Sequence, residues 1–545
     1  MKFLKTLAIV ILIISYDNMF SQTIKENFQS NVWISDNGNG TYTNPILHAD
    51  YSDPDVIRVG DDYYMTSSSF NCVPGLPILH SKDLVNWQLI NYALKKQPPF
   101  HVFEKPQHGK GVWAPCIRFY NNEFYIYYPD PDYGIYMVKT NDPKGIWSEP
   151  ILVKEGKGII DPTPLWDDDG NVYLAYAFAG SRAGIKSLLV ICTMNEEGTI
   201  ANNDEVIIID GHNEEPTIEG PKFYKKNGYY YIFAPAGGVA TGWQTVLRAK
   251  SIYGPYEKKK VMDQGKTNIN GPHQGAWVQT QTGEDWFIHF QDKGAYGRIV
   301  HLQPMKWIND WPVIGNDEDK NGIGEPVTIH KKPNVGLNWQ KVTPNDSDEF
   351  NTPKLGMQWQ WHANPKVYWG FPSSLGHYTM YCRPKPEDAT NLYKVSNLLL
   401  QKFPSEEFIA TTKMTFNARF DSEQTGLLIM GLDYSYLSVK RQNGELYVSQ
   451  VICENADKNG IESESKSFKL NTETFFLQVK VKEGGVCEFL YSEDGKKYNS
   501  IGERFIAREG KWIGAKIGFL ALRNGIANDS GSIDIDWFRI NKIIK

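Results

Sequence analysis

The sequence lacks the features of a membrane-spanning protein and of a nucleic-acid-binding protein. Its apolar run near the N-terminus, Leu7 to Ile14, is shorter than the roughly 20 residues that a bilayer-spanning helix needs. The chain carries 57 lysine and arginine residues against 63 aspartate and glutamate residues, without a basic stripe. Because phosphate binding depends on concentrated positive charge, we expect neither a membrane span nor a nucleic-acid partner.

Closely spaced cysteines are also missing. The six cysteines are scattered along the chain, so neither a metal motif nor a disulfide framework stands out. We expect most of them to be buried free thiols. They are Cys72, Cys116, Cys192, Cys382, Cys453 and Cys487.

Residues 1–21 have the pattern of a secretory signal peptide. Lys2 and Lys5 precede the apolar run, and Ser21 offers a small residue for cleavage. No cysteine lies near that point, so lipid modification of the N-terminus is unsupported. We therefore expect an exported protein, either periplasmic or secreted.

Long stretches with helical periodicity are absent as well. The chain has 545 residues, which is too long for one ordinary core and predicts two or three domains. Its 47 glycines, 30 prolines and 13% aromatic residues favour an all-β fold with many turns.

A repeated motif organises the first half of the chain. A turn rich in Gly, Asn or Asp precedes an aromatic run in GDDYYMTSS, NNEFYIYYP, DGNVYLAYA, NGYYYIFAP and GEDWFIHFQ. The aromatic anchors are spaced by 61, 48, 58 and 56 residues; they are Tyr64, Tyr125, Tyr173, Tyr231 and Phe287. Several short strands in each unit of about 50 residues are typical of a β-propeller. We predict a five-bladed propeller over residues 22–330. A β-sandwich with similar hairpins is the alternative, which the regular spacing disfavours.

The repeat also predicts which side chains meet at the propeller axis. Residues 11 to 13 positions before the anchors share one register on the inner strands; they are Asp53, Trp113, Asp161, Glu219 and Gln274. Taken singly, Asp53 and Asp161 are ordinary Asp-Pro turn residues and Glu219 is an ordinary loop residue. Three carboxyl groups in one space repel one another, which points to catalysis. Asp55, the second acid of SDPD, is expected to begin a strand and point elsewhere.

Paired carboxyl groups of this kind are what glycoside hydrolysis requires, one acting as acid and the other as base. The acid has to keep its proton near neutral pH, and a neighbouring ionised carboxylate raises its pKa. The axial acids therefore favour a glycosidase.

The same motifs, in order over about residues 40–325, resemble glycoside hydrolase family 43. The resemblance is carried by NPILHADYSDPDVIRVGDDYYMTSS, GVWAPCIRFYNNEFYIYY, IIDPTPLWDDDGNVYLAYA, IEGPKFYKKNGYYYIF and HFQDKGAYGRIVHLQPMKW. It implies a five-bladed propeller and an inverting mechanism with three acids. By matching motifs, it implies Asp53 as the general base, Asp161 as the modulator of the acid's pKa and Glu219 as the general acid.

The resemblance extends to residues that would contact the sugar. Arg298 in GAYGRIV matches the family's arginine that reaches the sugar hydroxyls. Trp113 and Phe70 offer apolar faces for a sugar ring, with core packing as the alternative, and Gln274 is the fifth axial residue. Cys72 stands where relatives often have an aromatic residue, which leaves the contacts of the first sugar open.

His273 in NGPHQGAW is the metal candidate, because relatives often place a histidine near a calcium ion on the axis. A purely structural histidine is the alternative, and the shifted register of this unit leaves His273 and Gln274 both possible at the axis. No cofactor is expected to be required.

Beyond GIGEPV the repeat stops, and residues 331–346 form a polar, proline-containing segment that we predict to be a linker. In residues 347–545, runs such as EFIATTKMTFNA, YSYLSVKRQ and TFFLQVKVK predict a two-sheet β-sandwich. This part resembles the concanavalin-like sandwich that follows the propeller in many family 43 exo-enzymes. In such enzymes the sandwich packs on the propeller and can close one side of the pocket.

We expect an exported, inverting exo-glycosidase that removes terminal α-L-arabinofuranosyl residues, β-D-xylosyl residues, or both, from plant cell-wall polysaccharides or oligosaccharides. An endo-arabinanase or exo-galactanase of the same family is one alternative. A non-catalytic carbohydrate-binding propeller is another, which the axial acids disfavour because a binding module does not need them. The sequence leaves the oligomeric state open.

Overall fold

The computed structural model describes residues 28–525 and 527–544 and shows an all-β chain. Its first half contains five four-stranded antiparallel sheets, and its second half contains two larger sheets. The predicted five-bladed propeller followed by a β-sandwich is therefore confirmed. The predicted signal peptide lies outside the described residues.

The four strands of each propeller blade follow one another in chain order. Blade 1 comprises Asp55–Val59, Asp62–Thr66, Gly75–Ser81 and Trp87–Leu94. Blade 2 comprises Cys116–Tyr120, Glu123–Asp130, Gly134–Thr140 and Ile151–Glu155. Blade 3 comprises Ile159–Trp166, Val172–Phe178, Leu188–Met194 and Val206–Asp210. Blade 4 comprises Lys222–Lys226, Tyr229–Ala236, Trp243–Ala249 and Glu257–Met262. Blade 5 comprises His273–Gln279, Asp285–Asp292, Arg298–Ile308 and Trp311–Ile314.

Tight turns explain the repeated turn-aromatic motif. In blade 2, Tyr120 pairs with Glu123 across a turn in which Asn121 and Asn122 have φ angles of 47° and 60°. Two left-handed residues make a two-residue turn whose twist matches that of the flanking strands, and asparagine adopts this conformation at low cost. The motif thus marks the first hairpin of a blade.

The aromatic runs are buried between neighbouring blades. Tyr127 of blade 2 packs in one cluster with Leu174 and Tyr176 of blade 3. A fully buried leucine or valine side chain in such a cluster contributes about 2 kcal/mol. Packing between blades therefore stabilises the ring and keeps the inner strands around one axis.

The segment that precedes blade 1 packs against the last blade and closes the ring. Thr41–Thr43 pairs with Ile329–Lys331 in a two-stranded sheet. The buried hydroxyl of Tyr42 donates a hydrogen bond to the Leu302 carbonyl at 2.8 Å. The segment before blade 1 is thus held against blade 5.

The sandwich consists of a nine-stranded sheet and an eight-stranded sheet. The first sheet comprises Gln360–Trp361, Arg383–Pro384, Leu399–Lys402, Gln424–Met430, Tyr434–Gln442, Glu445–Cys453, Ser463–Glu464, Phe468–Leu470 and Lys516–Arg523. The second comprises Gly370–Pro372, Tyr378–Tyr381, Phe408–Asn417, Thr474–Lys482, Val486–Ser492, Asn499–Ser500, Phe505–Ile506 and Ser532–Asn541. Alternating residues of both sheets form one core between them.

Helical structure in the described residues is limited to single turns. They are the α-helical turn Gly180–Ala183 and the 3₁₀ turns Val102–Glu104, Gly294–Tyr296, Leu392–Lys394, Ala456–Lys458 and Glu483–Gly485. None of the described helices has the length and apolar character that crossing a bilayer requires. All six cysteines are buried free thiols, as predicted.

The sandwich packs directly on the propeller through buried polar contacts. The Gln97 N–H donates to Asn364 Oδ1 at 2.8 Å, and Asn364 Nδ2 donates to the Gln97 carbonyl at 2.9 Å. Val73 and Trp361 exchange two backbone hydrogen bonds. Buried polar groups are costly unless paired, so these contacts fix one arrangement of the two domains.

Asp50 links the last blade to a loop of the sandwich. Its Oδ1 accepts a hydrogen bond from the Arg298 N–H at 2.9 Å, and its Oδ2 accepts one from the Gly514 N–H at 3.0 Å. The backbones also touch, since a Cβ added to Gly514 would lie 2.8 Å from the Gly297 nitrogen. A glycine at 514 is therefore needed for this close approach.

Candidate active site

All eight residues predicted for the site line one cavity at an end of the propeller axis. The cavity has a volume of about 300 Å³. The predicted residues in its lining are Asp53, Phe70, Trp113, Asp161, Glu219, His273, Gln274 and Arg298. The five residues of the axial register inferred from the repeat therefore lie together, and Phe70, His273 and Arg298 lie beside them.

Unusual backbone geometry aims several of these side chains into the cavity. Asp53, Phe70, Asp161 and Gln274 have φ angles of 54°, 50°, 57° and 35°. Strand pairing shifts between Ile160 and Thr163 in blade 3, and between His273 and Ala276 in blade 5. Such irregularities re-aim side chains at functional sites. In blade 5 the shift places both His273 and Gln274 in the lining.

Asp53 receives three donors in a buried position. Its Oδ2 accepts hydrogen bonds from the Ser52 and Ser68 hydroxyls at 2.7 and 2.6 Å. Arg298 Nη1 lies 3.1 Å from its Oδ1. These contacts stabilise an ionised carboxylate, which is the form that a general base needs.

Glu219 and Asp161 have surroundings that differ from those of Asp53, because they favour a bound proton. Burial raises the pKa of the Glu219 carboxyl, and the charges of Asp161 and Asp53 raise it further, against the opposing effect of Arg298. Burial also raises the pKa of Asp161, which a hydrogen bond from the Gly220 N–H opposes. That N–H donates to Asp161 Oδ2 at 2.8 Å. Asp161 therefore holds the backbone directly after Glu219 while its charge favours a proton on that acid.

His273 contacts the acid rather than a metal-ligand cluster. Its Nε2 lies 3.0 Å from Glu219 Oε1. Burial, with the charge of Arg298, lowers the pKa of His273 to about 3, so the ring is neutral. In residues 28–525 and 527–544, no three His, Cys, Asp or Glu side chains are grouped to hold a metal ion. Calcium takes six to eight oxygen ligands, which include backbone carbonyls and waters as well as carboxylates, so the side chains here would supply only part of such a set. A calcium ion at His273 stays a prediction.

Asp55 lies below the cavity, away from its lining. It begins the strand Asp55–Val59, as expected, and is fully buried. Its Oδ2 accepts hydrogen bonds from the Ile117 N–H at 2.7 Å and from Arg118 Nη1 at 2.8 Å. The two acids of SDPD therefore have separate surroundings, one in the cavity and one in an ion pair.

Aromatic rings from both domains form the wall of the cavity. Trp113 lies 6.4 Å from Phe70 and 6.4 Å from Trp512, measured between ring centroids. Trp512 comes from the sandwich, and 42% of its surface is exposed. The Arg298 guanidinium lies 5.7 Å from the Trp512 ring. The sandwich thus supplies one side of the pocket, next to the arginine that contacts Asp53.

Residues 42–312 match the model for Glycosyl hydrolases family 43, and residues 347–541 match the Beta xylosidase C-terminal Concanavalin A-like domain. A putative beta-xylosidase of Xylanibacter ruminicola is 36% identical over 529 residues, which cover 93% of this chain and 92% of that protein. This chain belongs to glycoside hydrolase family 43. It is a glycoside hydrolase, as the sequence motifs predicted.

Other family 43 proteins are similar over the same two domains. A non-reducing end alpha-L-arabinofuranosidase of Bacteroides ovatus, BoGH43B, is 26% identical over 91% of this chain and 94% of its own. The crystal structure of the GH43 protein BlXynB from Bacillus licheniformis superposes with a TM-score of 0.80 at 26% identity. That superposition covers 92% of this chain and 100% of the other.

Several residues of this family 43 site were not predicted from the sequence. Ser68 contacts Asp53 from a distance of 15 positions along the chain. Trp512 and Lys186 also line the cavity. Ser68 ends the GDDYYMTSS motif, so a polar residue directly after an inner hairpin is a signal that could have found it. Trp512 has no such signal, because its place depends on how the domains pack.

A wider groove of about 490 Å³ lies elsewhere on the propeller. Inner strands of all five blades line it, but it has no carboxyl group in its lining. Since glycoside hydrolysis requires paired carboxyl groups, the smaller cavity is the candidate active site.

Proposed function

We propose that this enzyme is an exported, inverting exo-glycosidase that removes terminal β-D-xylosyl residues from plant cell-wall xylan or its oligosaccharides. The observation that carries the proposal is that Asp53 and Glu219, which line the same cavity, have different surroundings. Asp53 receives Arg298 and two hydroxyls, whereas burial and repulsion favour a proton on Glu219. Hydrolysis by general acid–base catalysis needs an ionised base and a protonated acid, and these two environments favour that pair of states.

The proposed reaction is a single displacement. Asp53 takes a proton from a water molecule that attacks the anomeric carbon from the face opposite the leaving group. Glu219 donates its proton to the glycosidic oxygen as the bond to that carbon breaks. The anomeric configuration inverts, and one sugar leaves with the hydroxyl from water. Side-chain exposure fits these roles, because the side chain of Glu219 is 25% exposed and that of Asp53 is 6% exposed.

Exo action is supported by the shape of the pocket. Trp512 of the sandwich stands beside Trp113 and Arg298 and narrows the cavity on one side. An endo-acting enzyme has to accept a chain that continues in both directions, which a cleft open at both ends allows. The chain end is therefore the expected point of attack.

The names of relatives support xylose as the terminal sugar, with arabinofuranose second. The Xylanibacter ruminicola relative at 36% identity is called a putative beta-xylosidase. The Bacteroides ovatus relative at 26% identity is called an alpha-L-arabinofuranosidase. The two sugars place their scissile bonds and hydroxyls similarly, so activity on both substrates is the expected pattern.

The decisive experiment combines two aryl glycosides with proton NMR. Purified enzyme is incubated with an aryl β-D-xyloside and an aryl α-L-arabinofuranoside, and the first-formed anomer is recorded before mutarotation. We expect α-xylose from the xyloside. An enzyme prepared in parallel with Asp53→Asn controls for contaminating glycosidases. Activity on neither substrate, or a retained anomer, would refute the proposal.

Export is supported by the charged and apolar pattern of residues 1–21. We expect the protein recovered outside the cytoplasm to begin at Gln22, as determined by N-terminal sequencing. A recovered protein that keeps residues 1–21 would contradict a cleaved signal.

A further inference from the structure

Positive charge is concentrated at one side of the cavity mouth. Four cations lie at or beside the lining: Lys186 lines the cavity, Arg182 and Lys511 face the rings of Trp113 and Trp512, and Lys110 follows Gly109, which packs on Lys511. Arg182 Nε and Lys110 Nζ lie 3.3 and 3.4 Å from the same carboxylate, Asp132. Within the described part of the chain, neither Lys186 nor Lys511 has a carboxylate within 4.0 Å. Among the described residues, Asp132 is thus the one carboxylate in ion-pair contact with this group of four cations, in a chain whose formal net charge is −6.

Lys186 lies on the side where the leaving group has to be. It lines the cavity, and its ammonium donates to Thr217 Oγ1 at 3.1 Å. Thr217 precedes the acid Glu219 by two residues. Since Glu219 protonates the oxygen of the leaving group, the departing sugar sits beside this acid and within the field of Lys186.

The other cations surround the aromatic wall. The Arg182 guanidinium lies 5.4 Å from the Trp113 ring centroid, and Lys511 Nζ lies 4.7 Å from the Trp512 ring centroid. The loop that carries Lys110 touches this part of the sandwich, because a Cβ on Gly109 would lie 2.5 Å from Lys511 Cγ. The cations therefore follow the same wall as Trp113 and Trp512.

Nearby acids offset the positive charge of this wall only in part. Burial raises the pKa of Asp130, behind Asp132, to about 7, so Asp130 carries only part of a charge. Glu509 lies on the same sandwich loop as Lys511, but its charge acts on Asp292. Burial raises the pKa of Asp292, and the charges of Asp50 and Glu509 raise it further. Asp292 also interacts with Arg298, so these acids act on the Arg298 part of the site.

We propose that this wall is a subsite for a leaving group that carries a carboxylate, namely a xylan chain whose second sugar bears a uronic acid. The proposal rests on the function proposed above. Like charges that face one site repel one another and are favourable when an anion binds between them. Trp113 offers a flat apolar face to the sugar ring, while Lys186 and Arg182 offer donors to its carboxylate. Lysines that are simply solvated at the rim are the alternative.

The test uses two xylo-oligosaccharides that differ only in a uronic acid on the second sugar from the non-reducing end. For each enzyme the ratio of kcat/KM on the acidic substrate to kcat/KM on the neutral substrate is measured. The enzymes are the wild type, Lys186→Gln, Lys186→Arg and the double variant Arg182→Gln/Lys186→Gln. Lys497→Gln, in an exposed sandwich turn, removes the same charge away from the cavity and serves as the control.

We expect the ratio to exceed one for the wild type and to fall with added salt, because exposed charges are screened. Lys186→Gln should lower the ratio about threefold and the double variant about tenfold, in line with partly exposed ion pairs. Lys186→Arg and Lys497→Gln should keep the wild-type ratio. The subsite would be refuted by a ratio at or below one for the wild type, or by a ratio that Lys186→Gln leaves unchanged. In either case, activity on the neutral substrate would still support the proposed function. Activity on neither substrate would instead refute the proposed function itself.

Discussion

The floor and the wall of the cavity are built in different ways. The floor acids Asp53, Asp161 and Glu219 belong to the propeller, where left-handed residues, shifted strand pairing and short hydrogen bonds fix them. The wall residue Trp512 belongs to a loop of the other domain and is 42% exposed. The propeller thus holds the acids that we propose for catalysis, whereas the packing of the sandwich helps to shape the pocket.

Changing the base should give the largest effect and should not depend on the substrate. Asp53→Asn removes the group that we propose to activate water, so we expect kcat to fall about 10³-fold on both natural and aryl glycosides. Steady-state kinetics measures kcat, and a thermal unfolding curve shows whether the variant is still folded. Asp142→Asn, in an exposed turn, is the matched control. A loss confined to one substrate class would argue against the role of base.

Changing the acid should separate substrates by their leaving groups. Glu219→Gln cannot protonate the glycosidic oxygen, so we expect a loss of about 10²-fold on natural xylo-oligosaccharides. The loss should be much smaller on an aryl glycoside whose leaving group needs little protonation. Comparison of kcat/KM on the two substrates measures this. Equal losses on both would contradict the role of acid.

Changing the modulator should move the pH profile. The charge of Asp161 adds to burial in raising the pKa of Glu219. Asp161→Asn removes that charge, so Glu219 should lose its proton at a lower pH. We therefore expect the alkaline limb of kcat/KM to move to lower pH, together with a lower maximum. An alkaline limb at the wild-type pH would show that Asp161 does not tune this acid.

Changing the wall should have the smallest effect and should fall mainly on KM. Trp512→Ala removes one apolar face that a sugar can contact, so we expect KM to rise about fivefold, which corresponds to a loss of about 1 kcal/mol of binding free energy. The pH profile should keep its shape, since the floor is untouched. Trp537→Ala, on a strand of the same domain, is the control. A loss in kcat as large as that of Asp53→Asn would contradict the separate roles of the cavity floor and the wall.

The same distinction explains how much the sequence could predict. The floor was predictable because each blade repeats a local pattern, so the residue 11 to 13 positions before an anchor falls on the same axis. The two-residue turn at Asn121 and Asn122 illustrates how the repeat is set by neighbouring residues. Trp512 was not predictable, because its position depends on contacts between residues hundreds of positions apart. The charge state of Glu219 was predictable only in direction, since burial appears only after folding.

Asp50 and the paired glycines Gly297 and Gly514 restrict how this enzyme can exchange domains. A sandwich transplanted from a relative has to present a backbone N–H to Asp50 and a residue without a side chain against Gly297. If it does not, the strand that carries Arg298 loses an anchor, because Asp50 also accepts the Arg298 N–H. A chimaera of distant relatives is therefore expected to keep this domain contact only if both domains of the contact come from the same parent.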